Sequence, residues 1–461
     1  MNTTIPHLSQ ILQQLLIEDA KRIGRESGFI QRERKINGAS FAQSLVFGWQ
    51  ANPKASLEEL CQSARVCNVE ISPQGLQERL NSQQANAFLQ QLLLKGVTYM
   101  VQNQCEREDL LASFNGVYLQ DSSQVELPSC FQTIWQGQSK NQAVLKLQTV
   151  LDYQHGRFDL TLASGRDHDC PLQTVTLPKG SLRLADLGYF KVKVFEELNE
   201  QGVWWVSRVP ARSGIWQGEQ VIHTADWLKE QQGDCIDQPV ELTAQRLPCR
   251  LLAIRVPDEV AKERKKRARK AAGKRKNSQL KPETLALCEW TILVTNLPPE
   301  SFSFADILCL QRLRWQIELL FKLWKSELSL DDWRSQQPHQ ILSELYAKLI
   351  LALVQHWLLL LGCWHVESRS LVKATRVLRK HAFHILSALA DSRFLIRTLR
   401  LILPSLARCT VQKRKTRPAT FQLLSRAIPY LDVYGLPFGS LLFVGQLLGQ
   451  TFAGEAVVVG V

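Results

Sequence analysis

An α/β fold flanked by helical regions is predicted by three observations. The first hundred residues carry helix start signals and no strand-like runs. From Gly116 onward, short apolar or alternating segments separated by turns read as strands. After Leu330 the pattern is again mainly helical, to about Leu424. At 461 residues the chain is long enough for about two to four domains.

Ser56 before LEEL, with Glu59 three residues on, fits a capping box. Ser72-Pro73 fits an N-cap followed by Pro at the first helical position. Helices from Leu57 and from Pro73, with a break near Cys67–Ile71, are compatible with a helix-turn-helix that touches DNA. GVYLQDSSQVELP reads as a strand up to Asp121. Ala143–Tyr153 and Arg157–Ala163 form a hairpin around Gln154-His155-Gly156. SLRLADLGYF gives a strand ending at Asp186, a helical piece spans Lys191–Gln201, and GVWWVSRVP gives another strand. Three antiparallel strands followed by alternating strand and helix point to a ribonuclease-H-like core. Short β-like runs (PVELTAQRL, CRLLAIRV, WTILVTNLP) predict an inserted β-rich subdomain. The expected domains are residues 1–105, a helical N-terminal DNA-binding domain; 106–210, the first part of the core; 211–299, the insert; 300–335, the final core helix; and 336–461, a helical C-terminal region with an apolar tail at Leu436–Val461.

The net charge of +13 favours a polyanionic partner. The charge is clustered: Lys262–Lys276 holds ten Lys or Arg against the single Glu263, as a charged helix or a loop. The eleven cysteines are scattered without CxxC or paired Cys/His spacing, which argues for reduced thiols and against a zinc site or disulfide framework. MNTTIPHLSQ has no basic region followed by an apolar core, so no signal peptide is expected. The apolar run Leu349–Trp364 is 16 residues long and contains Gln355 and His356. It falls short of the ~20 residues a membrane span needs, and a buried core helix is expected.

Gln311–Leu328 carries no Gly or Pro, and its apolar residues Leu313, Ile317, Phe321, Trp324 and Leu328 have the spacing of one buried helical face. At about 100° per residue, Arg314, Glu318 and Lys325 share a strip roughly 40° wide, and Gln311 widens it to about 60°. A carboxylate flanked by cations at the rim of a buried face suits phosphate chemistry. Asp121 and Asp186, at strand ends, are two further carboxylates. Strand ends are where α/β folds place their sites, and converging carboxylates are cheap to keep ionised only beside a cation. An all-oxygen set suits Mg²⁺ or Mn²⁺, and two ions about 4 Å apart support in-line phosphoryl displacement.

Together, Asp121 in LQDSSQVELP, Asp186 in ADLGYF and the Arg314, Glu318, Lys325 spacing resemble bacterial insertion-sequence DDE transposases, the hairpin-forming insertion sequence family four. That family's helix signature is Tyr, two residues, Arg, three residues, Glu, six residues, Lys; here Gln311 stands at the Tyr position. The resemblance implies metal-dependent cleavage at transposon ends and DNA strand transfer by a cut-and-paste route through a hairpin. It assigns Asp121, Asp186 and Glu318 to two Mg²⁺ or Mn²⁺ ions, and Arg314 and Lys325, with Gln311, to phosphate contacts. Trp290, 28 residues before Glu318, would stack on a flipped-out base. The basic run, with Arg264, Lys265, Lys266 and Arg267, would clamp flanking DNA. The implied partners are double-stranded DNA (terminal inverted repeats and target) and a second copy of the chain, with no membrane, in the cytoplasm on the nucleoid. A degenerate copy that binds ends without cutting, and a nuclease of the same sheet type without strand transfer, are the alternatives.

Overall fold

The computed structural model describes residues 4–411, apart from 33–35, 102–109, 140, 168–175, 211, 212, 232, 257, 275–281, 365, 367 and 368. The tail expected at Leu436–Val461, and Arg275 and Lys276 of the basic run, lie outside the described residues. The chain divides into two compact units. One comprises Met1–Glu106, Ser122–Asp167 and Glu318–Lys413; the other comprises Arg107–Asp121, His168–Ile317 and Arg414–Val461.

The first unit is mainly helical. Helices α1 (Thr4–Gln13) and α2 (Ala20–Glu26) flank a π-helical turn at Gln14–Asp19, and α3 spans Gly38–Ala51. Helix α4 (Leu57–Val66) starts at the capping box read from the sequence: Ser56 N donates to Glu59 Oε2 at 2.7 Å, and Glu59 N to Ser56 Oγ at 3.3 Å. Helix α5 (Pro73–Leu80) starts after Ser72, whose Oγ accepts from Gly75 N. Helix α6 spans Gln83–Val97. Strands β2 (Ala143–Asp152) and β3 (Arg157–Ser164) pair antiparallel down to Asp152–Arg157, and Gly156 turns the hairpin at φ +68. Every residue of β2 is buried.

The C-terminal part of this unit holds α12 (Trp315–Leu328) from Glu318 on, α13 (Pro338–Leu359), α14 (Leu371–Lys380), α15 (Ala382–Ala388) and α16 (Ser392–Ala407). Helix α13 starts eleven residues before the apolar run seen in the sequence. Among the described residues it is the one helix long and apolar enough to cross a membrane, and 94% of its apolar window is buried inside the protein. Two of its polar residues are hydrogen-bonded there. Gln355 Nε2 donates to Thr375 Oγ1 at 3.1 Å, and His356 Nε2 donates to the Gly156 carbonyl at 2.6 Å.

The second unit is built on a mixed sheet. Its strands are β1 (Val117–Leu127, to Asp121 in this unit), β4 (Leu182–Ala185), β5 (Trp204–Arg208), β6 (Gly214–Gln217), β7 (Gln220–His223), β8 (Cys235–Leu242), β9 (Leu247–Arg255) and β10 (Trp290–Thr295), in the order β1-β4-β5-β10-β9-β8-β6-β7. In the first unit the order is β3-β2-β1, so β1 belongs to both. The β1–β4 and β4–β5 pairs are parallel. Helix α7 (Val192–Glu200) makes the crossover between β4 and β5. Helices α8 (Thr224–Glu230), α9 (Asp258–Lys274), α10 (Pro282–Leu287) and α11 (Phe304–Leu313) complete the unit.

Two expectations gain detail and one changes. The inserted strands extend the core sheet: β10, buried along its whole length, pairs antiparallel with β5 and with β9. The basic run is helical through Lys274, as α9. Strand β1 does not end at Asp121 but runs six residues further to Leu127, where Pro128 removes the next backbone donor.

Candidate active site

The parallel register of β1 and β4 ends at Gln120 opposite Ala185. Asp121 and Asp186 are therefore the next residues on two adjacent strands, which run about 4.8 Å apart in a sheet. Side chains alternate along a strand, so both aspartates share the sheet face of Leu119 and Leu184, which are fully buried. Asp186 keeps an extended backbone (φ −73, ψ 165) and leads into a short 3₁₀ turn at Leu187–Tyr189.

One rung earlier, the opposite face carries a pair that sequence reasoning missed. Arg183, 2% exposed, donates Nε and Nη2 to Gln120 Oε1 at 3.0 and 2.7 Å. Burial pushes its guanidinium down to about 10. The pair cross-links β1 to β4 immediately before the aspartates. The available signal was an arginine inside the otherwise apolar SLRLA.

Arg314 reaches Asp121 within this unit: Nη1 lies 3.5 Å from Asp121 Oδ2, with side-chain exposures of 2% and 15%. The arginine is buried, not at a helix rim as the single-helix reading placed it. The helix expected over Gln311–Leu328 breaks here into α11 and α12. The break is made by i→i+3 bonds, Arg314 N to Gln311 O and Ile317 N to Arg314 O, each 3.3 Å. The apolar face is buried as its spacing predicts: Leu313, Ile317, Phe321, Trp324 and Leu328 are each at most 6% exposed.

Two buried polar groups stand out. Asp186 Oδ1 has no hydrogen-bond partner among the described residues, and neither Nε2 nor Oε1 of Gln311 has one. A buried carboxylate oxygen without a donor is costly and fits a cation ligand. No group of three or more His, Cys, Asp or Glu side chains gathers as a ready metal holder among the described residues. Asp121 and Asp186 belong to the second unit and Glu318 is the first residue of α12 in the other.

The remaining candidates take varied places. Lys325, in the first unit, donates Nζ to the Gln124 carbonyl at 2.7 Å. Trp290 is 5% exposed in the core of the second unit, with the Arg255 guanidinium 4.5 Å from its ring centroid. It presents no open face to a base in this conformation. In α9, Arg264 turns inward to Trp290 O (3.0 Å) and Thr291 Oγ1 (3.2 Å), and Lys265 pairs with Glu289 at 2.6 Å. Arg267 pairs with Glu263 at 3.2 Å. Lys266 is exposed, and so are Lys262, Arg269 and Lys270. The division follows helix geometry, because Ala261, Arg264 and Ala268 share the packed face.

The family profile described as "Transposase DDE domain" matches residues 113–354, more than half of the chain and all of the segment just described. The chain belongs to the DDE transposase family. Among curated proteins, it is 27% identical over 380 residues to the transposase for insertion sequence element IS231F of Bacillus thuringiensis subsp. israelensis, covering 75% of this chain and 78% of that one. It is 24% identical over 385 residues to the transposase for IS1151 of Clostridium perfringens, covering 77% and 80%. A shorter match, 37% over 105 residues, joins it to the putative transposase InsL for IS186A of Escherichia coli (strain K12). The transposase is thus an enzyme acting on DNA, of the insertion-sequence class, with the divalent-metal chemistry of its family.

Proposed function

We propose that this transposase cuts the ends of its own insertion sequence and joins them to target DNA, with Asp121, Asp186 and Glu318 as its carboxylate triad. The observation that carries this reading is the placement of Asp121 and Asp186 one step beyond the Gln120–Ala185 pair on adjacent parallel strands, with Arg314 beside Asp121. The unpartnered Asp186 oxygen supports a cation there. The strand order β3-β2-β1-β4-β5, with β1, β4 and β5 parallel, supports a ribonuclease-H-like core.

Asp121, Asp186 and Glu318 would hold two Mg²⁺ or Mn²⁺ ions, which when bound supply activation of the attacking oxygen and stabilisation of the leaving one. Arg314 holds the Asp121 carboxylate in place, and as a guanidinium, the group that can grip a phosphate bidentately, it is the phosphate contact of the site. Lys325, on α12, is a point-charge contact, and Gln311, on α11, an amide contact. Water attack frees a 3′-hydroxyl at the element end; that hydroxyl attacks the opposite strand to form a hairpin, and a second hydrolysis opens it. Trp290 is the residue assigned to the unstacked base, which requires its ring to leave the core. Helices α4 and α5 read the terminal repeats. The outward cations of α9, Lys266 among them, clamp flanking DNA, while Arg264 and Lys265 anchor that helix and Arg267 pairs within it to Glu263. Two copies hold two ends, on the nucleoid in the cytoplasm.

The test is Mg²⁺-dependent cleavage of DNA carrying the element's own ends, with Asp121→Asn, Asp186→Asn and Glu318→Gln as controls. Cleavage and joining by the wild type, lost in each variant, is the expected result. Binding without cutting would instead identify a degenerate copy, the reading favoured by Gln311 at the Tyr position. Cutting without joining would identify a nuclease.

A further inference from the structure

Strand β1 pairs with β4 only as far as Gln120, and it continues for seven more residues. Gly116 offers its carbonyl to Leu182 N on the β4 side. By the two-residue alternation of a strand, the carbonyls of Gln124 and Glu126 face that same edge, past the last β4 rung. Both are taken by side chains about two hundred residues later. Lys325 Nζ donates to Gln124 O at 2.7 Å, and Trp333 Nε1 donates to Glu126 O at 3.0 Å. The C-terminal half of α12 and the turn after it thus replace a neighbouring strand along this stretch of β1.

The turn that delivers Trp333 is itself locked. Ser329 has a left-handed backbone at φ +49, which costs energy for a non-glycine residue. Lys348, 1% exposed, donates to Ser329 O at 2.8 Å and to Asp332 O at 3.0 Å, and pairs with Glu344 at 2.7 Å. All three ammonium hydrogens therefore have an acceptor. Lys54 holds the Asp332 carboxylate from outside at 2.6 Å. A buried lysine fully committed to one turn fixes where that turn, and the indole it carries, can sit.

We propose that Trp333 is a positioning residue of the transposase, with Lys348 as its support: its indole N–H sets the register of α12, which carries Glu318, along β1, which carries Asp121. The inference rests on the carboxylate-triad reading above. A slip of α12 along β1 leaves the fold intact and moves Glu318 relative to the strand. Catalytic geometry tolerates such slips poorly, with a misplacement of about 1 Å costing on the order of 100-fold.

The test is Trp333→Phe, which removes the N–H donor and keeps an aromatic ring on the Lys348 side. Three quantities are measured: single-turnover cleavage of element ends, the Kd for uncut end DNA, and the Tm. The cleavage rate is expected to fall about 10- to 100-fold and the half-saturating Mn²⁺ concentration to rise. Kd and Tm should stay within about twofold and about 2 °C of wild type, respectively, since a single hydrogen bond at the surface is lost. Wild-type cleavage by Trp333→Phe would overturn the proposal. Parallel losses of rate, Tm and DNA affinity would also overturn it, by showing a role in folding alone. Glu318→Gln run alongside separates the two ideas. If it is inactive while Trp333→Phe is normal, only the positioning role fails; if it cuts normally, the triad itself fails.

Discussion

Arg314 Nη1 stands 3.5 Å from Asp121 Oδ2, 193 residues away in sequence, in a setting where the arginine is almost fully enclosed. A buried guanidinium is stable only with its charge compensated, so Arg314 and Asp121 fix each other. Arg314→Ala is therefore expected to misplace a carboxylate of the site while leaving most protein–DNA contacts intact. Cleavage should fall about 100- to 1,000-fold, the scale for losing one preorganised charge-stabilising donor, with Kd for end DNA changed by less than about threefold. Arg314→Lys, a point charge without the fork, should recover only part of the rate. Equal losses in Kd and rate, measured by gel shift and single-turnover cleavage, would remove Arg314 from the reaction centre.

How much of this was legible in the sequence depends on whether the cause was local. The capping box at Ser56 and Glu59, the N-cap at Ser72 and the hairpin around Gly156 are short-range chemistry, and all three stand where the sequence put them. The apolar face of α12 was equally readable, being a 3.6-residue period. The break at Arg314 was not. Nothing in QRLRWQIE breaks a helix; the tightening accompanies a contact made by Asp121 from another part of the chain. The length of β1 escaped for the same reason, because its open-edge carbonyls are capped by Lys325 and Trp333. Neighbours also decided which cations of the basic run face outward: Arg264 and Lys265 are drawn in by Trp290, Thr291 and Glu289.

Trp290 separates a core role from a DNA role. It lies among Trp205, Trp227 and Phe195 in the core cluster, at 5% exposure. Trp290→Ala should cost about 3–5 kcal/mol of folding stability, the range for deleting a buried aromatic, seen as a lower denaturation midpoint in urea. Trp290→Phe keeps most of the volume and should recover much of that stability. If Trp290→Ala left the midpoint unchanged while hairpin opening failed, the ring would be acting on DNA and not in the core.

The cysteines give a pH dependence whose sign is fixed. Burial pushes the Cys363 thiol up to about 12 from an ordinary value of 9.0. Above pH 9 the unfolded chain loses this proton while the folded chain keeps it until about pH 12. The unfolded state then binds fewer protons, and stability falls as pH rises through that window. The stability difference between wild type and Cys363→Ala should therefore shift against the wild type by up to about 1.4 kcal/mol per pH unit above 9. Urea titrations at pH 8 and pH 10.5 would check this, and a pH-independent difference would show that Cys363 titrates alike in both states.

Helix α9 allows charge and anchoring to be tested on one element. Lys262, Lys266, Arg269 and Lys270 are exposed and make no ion pair among the described residues, whereas Arg264 and Lys265 bond to the β10 backbone and to Glu289. Cations that meet DNA phosphates displace counterions, and each contributes about 0.9 to the slope of log affinity against log salt. Replacing the four outward residues by Gln should flatten that slope by up to about 3–4 and leave Tm nearly unchanged. Arg264→Gln should do the reverse, lowering Tm through two lost hydrogen bonds while changing the salt slope by less than about 1. Fluorescence anisotropy of end DNA between 50 and 300 mM salt would decide between them. An unchanged slope in the fourfold variant would place the DNA away from α9 and leave that helix as a solvated, anchored arm of the sheet.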